Sequence, residues 1–171
     1  MIKKLFFAVM AIGMMTACNG SAEGGAEGSK AESSAAEVKG MVYEGDSFTM
    51  TLPEGWVDTY KSGTTINAKD ESGELTMDAT FSDYPCKPDD FKTYATNLSG
   101  MSIKKDFKFD EPKIDGNIMT LKAVKDDAVE HNFVVYLDEK AGVAGSFKYP
   151  AAKAAEVEPL MMAAIKSIKK K

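Results

Sequence analysis

The chain has 171 residues, with 26 acidic side chains against 21 basic ones, one histidine and a net charge of −5 at neutral pH. Every basic residue is lysine. A nucleic-acid binder normally carries a basic footprint and arginines for bidentate phosphate or guanine contacts, so composition argues against that class and against charge-driven docking on anionic lipid.

The chain opens with Lys3 and Lys4, followed by an apolar stretch from Leu5 to Met15 and then Thr16-Ala17-Cys18. Such a stretch is too short for a membrane-spanning helix and reads as an export signal over residues 1–17. It resembles a bacterial lipoprotein signal, in which a bulky apolar residue (here Met15) stands three before a cysteine and small residues lie between. The resemblance implies that Cys18 is acylated and begins the mature chain, whose net charge becomes −7 once Lys3 and Lys4 are gone. It further implies two or three acyl chains, an effectively permanent anchor where one chain would hold marginally. Asn19, rather than Asp, follows that cysteine. By resemblance to sorting rules in some bacteria this favours the outer over the inner membrane, with the domain in the periplasm or at the surface. Cys86 is then the one remaining thiol, and no internal disulfide can form.

Residues 18–40 are dominated by Gly, Ser, Ala and Glu, with one Val and no aromatic. They cannot bury enough apolar surface to offset their ordering entropy and read as a flexible tether with a reach of roughly 25 Å. A globular composition begins at Met41 and runs to Lys171 as one domain, long enough to bury its own core.

Within that domain Phe48–Leu52 alternates apolar and polar residues as a half-buried strand does, and Pro53-Glu54-Gly55 turns the chain before Trp56. Residues 64–68 and 75–81 form two further strands, paired as a hairpin about Asp70–Gly73. After Pro85 and Pro88, Phe91, Tyr94, Ala95 and Leu98 recur at helical spacing, and Gly100 ends that helix. Four more strands follow, at 107–109 with Ile114, 118–124, 129–137 and 143–149, joined by connections short enough for an antiparallel meander. Val157, Leu160, Met161, Ala164, Ile165 and Ile168 mark a closing amphipathic helix, whose negative end Lys166 and Lys169–Lys171 complement. The expected fold is α+β: an antiparallel sheet of about six to seven strands packed by two amphipathic helices, on both faces or one.

The strand entering Pro53-Glu54-Gly55-Trp56, the element order and the closing helix after Tyr149-Pro150 resemble the PsbP-like fold, an α-β-α sandwich, over about residues 41–171. What the resemblance implies is a non-catalytic accessory or binding module, and it carries no functional residues over.

Chemistry-bearing residues are sparse. Cys86, in Tyr84-Pro85-Cys86-Lys87-Pro88 before the first helix, is either a thiol activated by Lys87 and the helix end or an inert partly buried side chain. His131 can serve Cys86 as a base if the fold brings them together; alternation instead places it with Phe133, Val135 and Leu137 at the core margin. Trp56 and Tyr60 are a candidate stacking platform, set against a packing role for Trp56. Asp126, Asp127, Glu130 and Asp138 lie near strand ends and offer oxygens to calcium without the EF-hand order. No metal spacing, phosphate loop or cofactor motif is read. The expectation is an anchored, non-enzymatic envelope lipoprotein that meets the bilayer through Cys18 and binds an envelope protein. A small-ligand carrier, with a pocket lined by Phe91, Tyr94, Phe133 and Tyr136, is the alternative, and an enzyme using Cys86 and His131 the third reading.

Overall fold

Alternation of apolar and polar side chains turns most of the domain into strands, which the computed structural model, describing residues 40–171, arranges in two sheets. In chain order these are β1 (Val42–Glu44), β2 (Phe48–Thr51), β3 (Trp56–Lys61), β4 (Thr65–Asp70) and β5 (Thr76–Ser82). Helix α1 (Phe91–Ser99) follows, then β6 (Lys108–Phe109), β7 (Lys113–Asp115), β8 (Ile118–Lys125), β9 (Ala128–Asp138) and β10 (Ala141–Pro150). Helix α2 (Ala154–Lys166) and β11 (Lys169–Lys170) close the chain. The signal-like segment 1–17, Cys18 and tether residues 19–39 lie outside the described residues.

The main sheet has eight antiparallel strands in the order β3-β4-β5-β10-β9-β8, with β6 and β7 pairing along the free edge of β8. It is two meanders joined where β10 lies antiparallel to β5, with α1 in the connection between them. Close approach at that seam requires glycine: a Cβ on Gly145 would stand 2.0 Å from the Asp78 carbonyl oxygen and 2.8 Å from the Phe133 ring. Strands β1, β2 and β11 form the second sheet.

Because side chains alternate across a sheet, each long strand feeds two cores. Ile118, Val129, Phe133, Val135, Val143 and Phe147 meet Val157, Met161, Ala164 and Ile165 of α2, with Phe48, Met50 and Leu52 of the small sheet. Met119, Leu121 and Val134 point the other way and meet Phe91 and Ala95 of α1. Each fully buried side chain of this size is worth about 1.5–3 kcal/mol. The helices therefore lie on opposite faces, and the α+β sandwich expected from the sequence is the observed fold.

Three details differ from that expectation. The main sheet has eight strands rather than six or seven: Trp56–Lys61 adds one that alternation did not mark, and the expected strand at 107–109 with Ile114 is two short ones, β6 and β7, while β2 belongs to the other sheet. The N-terminal strand Val42–Glu44 is added to the second sheet. Third, the closing helix does not reach the C-terminal lysines. It ends at Lys166, where the Ser167 hydroxyl donates to the Ala164 carbonyl at 2.6 Å and accepts the Thr51 N–H at 2.8 Å. That clasp turns the chain onto β2 as β11 and buries Ile168 in the α2-side core.

Candidate functional site

The sheet separates the residues that a catalytic reading would join. Cys86 packs with the α1-side cluster, beside Phe91, Leu121 and Val134. His131 lies on the α2 side, in hydrogen-bond contact with Tyr149 and near Glu158 of α2. The parity of β9 explains it: His131 and Val134 are an odd number of residues apart and so project to opposite faces. The Cys86–His131 pair is thereby corrected, and no third group can orient a dyad that does not form. The Cys86 thiol is also pushed up from its ordinary value, first by burial and then by Asp90, which is opposite to activation. It lines a hollow of about 280 Å³ with Tyr94, Pro85 and Ala144.

The stacking platform fails for a local reason. Trp56 is 7% exposed and sets its ring edge-on to Phe147, with centroids 5.8 Å apart. A β-bulge between Asp58 and Tyr60 adds one residue to β3, so Tyr60 pairs with Asn67 while Lys61 pairs with the core residue Ile66. Tyr60 is therefore exposed on the face opposite Trp56. Trp56 is a packing residue and Tyr60 stands alone.

The four-aromatic pocket is divided by the same parity. Phe91 and Tyr136 belong to the α1 side and Phe133 to the α2 side, and Phe91 is fully buried. The acidic residues are likewise dispersed. Asp138 pairs with Lys170 at 2.6 Å, at the end of β9 that lies roughly 30 Å from Asp126 and Asp127. Glu130 pairs with Lys104. Among the described residues no cluster of three His, Cys, Asp or Glu side chains is placed to hold a metal.

Two features emerge that the sequence did not indicate. One is an open groove of about 670 Å³ at the β8–β9 turn, lined by Phe107, Val129 and Pro150 together with Lys125, Asp126, Asp127, Glu130 and Lys148. Asp126 takes a left-handed conformation there, with φ 52°. The other is a polar chain on the α2 side that runs from half-exposed Lys122 and Glu158 to buried Tyr149 and His131. Lys122 Nζ donates to Glu158 Oε1 at 2.8 Å, and the Tyr149 hydroxyl donates to the same oxygen at 3.1 Å. The Tyr149 oxygen stands 3.1 Å from His131 Nδ1.

Burial holds the His131 imidazole below its ordinary value and keeps it neutral at pH 7, although Glu158 pulls the other way. Partial burial would raise Glu158, but hydrogen bonds from Lys122 and Tyr149 outweigh it and hold the carboxyl below its usual range. Tyr149 is pushed far above the ordinary phenol value, first by burial and then by the Glu158 charge. No periodicity or spacing joins residues 122, 131, 149 and 158; only the pairing of β8, β9 and β10 under α2 does.

A sandwich with these two cores and this strand order can be compared with solved structures. CyanoP, the cyanobacterial PsbP of Synechocystis sp. PCC 6803, superposes with a TM-score of 0.53 at 12% identity, spanning 84% of this chain and 98% of the other. The fold is the PsbP/Mog1 fold. The Ran-binding protein Mog1p of Saccharomyces cerevisiae superposes with a TM-score of 0.55 at 13% identity, spanning 77% of this chain and 95% of its own. No family profile matches the chain, and no curated protein matches it in sequence.

Proposed function

We propose that this chain is a lipid-anchored cell-envelope module that binds a partner protein and performs no chemistry of its own. The observation that carries the reading is the PsbP/Mog1 fold, which spans nearly the whole of two solved domains, one of them named for binding the protein Ran. The separation of Cys86 from His131 by the sheet supports it. The lipoprotein-like start of the sequence supplies the anchor at Cys18, and residues 18–40 supply the leash. The groove at the β8–β9 turn is the surface offered to the partner. Its apolar side chains give contact area, and Asp126 and Asp127 favour a basic complement alongside the lining lysines Lys125 and Lys148.

The test is metabolic labelling with a palmitate analogue, followed by in-cell crosslinking and mass spectrometry. Wild-type chain takes up the label, Cys18→Ala does not, and one protein crosslinks in wild type but severalfold less in Asp126→Lys/Asp127→Lys. A chain released unlabelled removes the anchor. Turnover by the purified protein that disappears with Cys86→Ser or His131→Gln removes the non-catalytic reading.

A further inference from the structure

We infer that the hollow beside His131 is a binding site for a small, largely apolar molecule that donates one hydrogen bond, from a hydroxyl or an N–H, to His131 Nε2. The argument begins with proton placement. Tyr149 has one hydroxyl hydrogen, and the Glu158 carboxylate takes it. The contact between Tyr149 and His131 must then run the other way, with Nδ1–H donating to the Tyr149 oxygen. A neutral imidazole with its proton on Nδ1 has a bare lone pair on Nε2. The Lys122–Glu158–Tyr149 chain thus orients the ring and makes Nε2 an acceptor.

His131 is 6% exposed, and Nε2 has no hydrogen-bond partner among the described residues. Nor is it sealed, because among the described residues the one buried side-chain nitrogen or oxygen without a partner is Asn132 Nδ2. With Nδ1 engaged toward Tyr149 of β10, the far side of the ring is turned toward β8, where His131 lines a hollow of about 220 Å³ with β7, β8 and α2. Its lining sets four apolar side chains, buried Ile118 and Met161, half-buried Met162 and Ile114 at 42% exposed, beside the polar Lys113, Asp115, Thr120 and Glu158.

Since a cavity of about 150 Å³ holds benzene, this volume fits a phenol- to indole-sized molecule. Lys113 lines the hollow and would meet an anion, but a carboxylate or phosphate seated at Nε2 would bring its acceptors against another lone pair. A cationic ligand would find the nearby carboxylates engaged, Glu158 by Lys122 and Asp115 by Lys166. A neutral donor is what remains.

His131 is the only histidine of the chain, so the ring nitrogens of a ¹⁵N-histidine-labelled protein can be assigned without mutants. At pH 7.5 the free protein should show a protonated Nδ1 and a bare Nε2. Phenol should then move the Nε2 resonance saturably, whereas toluene, of nearly the same size, should leave it in place. Ile114→Trp, at the exposed mouth, should weaken the phenol response at least tenfold with an unchanged circular dichroism spectrum. The inference is overturned by a proton on Nε2 in the free protein, by no response to phenol, or by an equal response to phenol and toluene. It is also overturned if silver(I), and not phenol, moves Nε2 together with the Met161 and Met162 methyls, since the hollow is then a soft-metal site. The inference requires neither anchor nor partner protein, so its failure leaves the proposed function standing.

Discussion

At the scale of single residues, His131 ties stability to pH. The charged and titratable groups around it come from β8 (Lys122), β7 (Lys113), α2 (Glu158), β10 (Tyr149) and the loop residue Asp110. Its folded value lies below the ordinary 6.5, so just under pH 6.5 the unfolded chain binds a proton that the folded protein refuses. Stability is complete above that pH and falls as pH drops toward the folded value. Glu158, also held low, adds a loss in the same direction beginning near its ordinary 4.5. The urea midpoint should therefore decline from pH 7.5 to pH 5, and His131→Leu should flatten the upper part of the decline; a wild-type midpoint constant down to pH 5.5 would contradict this. Gly145 gives a steric prediction. Gly145→Ala pushes a methyl into the Asp78 carbonyl and should cost about 1–3 kcal/mol in urea unfolding, with a near-zero change counting against a tight β5–β10 seam.

Among the elements, α2 and β11 show how one polar side chain redirects a hydrophobic pattern. Ile168 continues the apolar stripe of the helix, and Lys169–Lys171 suit a helix C-terminus, so the sequence reads as one helix to the end. The Ser167 hydroxyl instead ties the last helical turn to the Thr51 amide of β2. Ser167→Ala leaves that amide without its partner and should cost about 1–2 kcal/mol, with faster exchange of the amide hydrogens of Thr49 and Thr51. Unchanged exchange at both would show that the clasp does not hold β11. Strand β3 fails in the opposite way: its bulge breaks the alternation that identifies strands, and the same bulge sends Trp56 and Tyr60 to opposite faces. It also turns Lys61 toward the core side of an edge strand, a charge that discourages pairing with another chain.

Across the whole molecule, one sheet serves two cores, so neither helix layer can be lost alone. Trp56 is the only tryptophan and sits in the α2-side core. Phe91→Ala removes a fully buried ring from the α1 side and should cost about 3–5 kcal/mol. Because β8, β9 and β10 line both cores, that loss should move the Trp56 fluorescence transition and the far-ultraviolet circular dichroism transition together. Two separated transitions would show that the faces unfold independently. The sequence by itself determined most of the strands, both helices, the meander that follows α1 and the two-helix α+β class, because period-2 and period-3.6 burial are local patterns written along the chain. It also determined that His131 shares a face with Phe133 and Val135. Only the tertiary structure decided that the helices take opposite faces, that Cys86 and His131 never meet, and that Lys122, His131, Tyr149 and Glu158 form one chain of hydrogen bonds. Those relations depend on strand order and register, which are set by pairing between segments far apart in sequence.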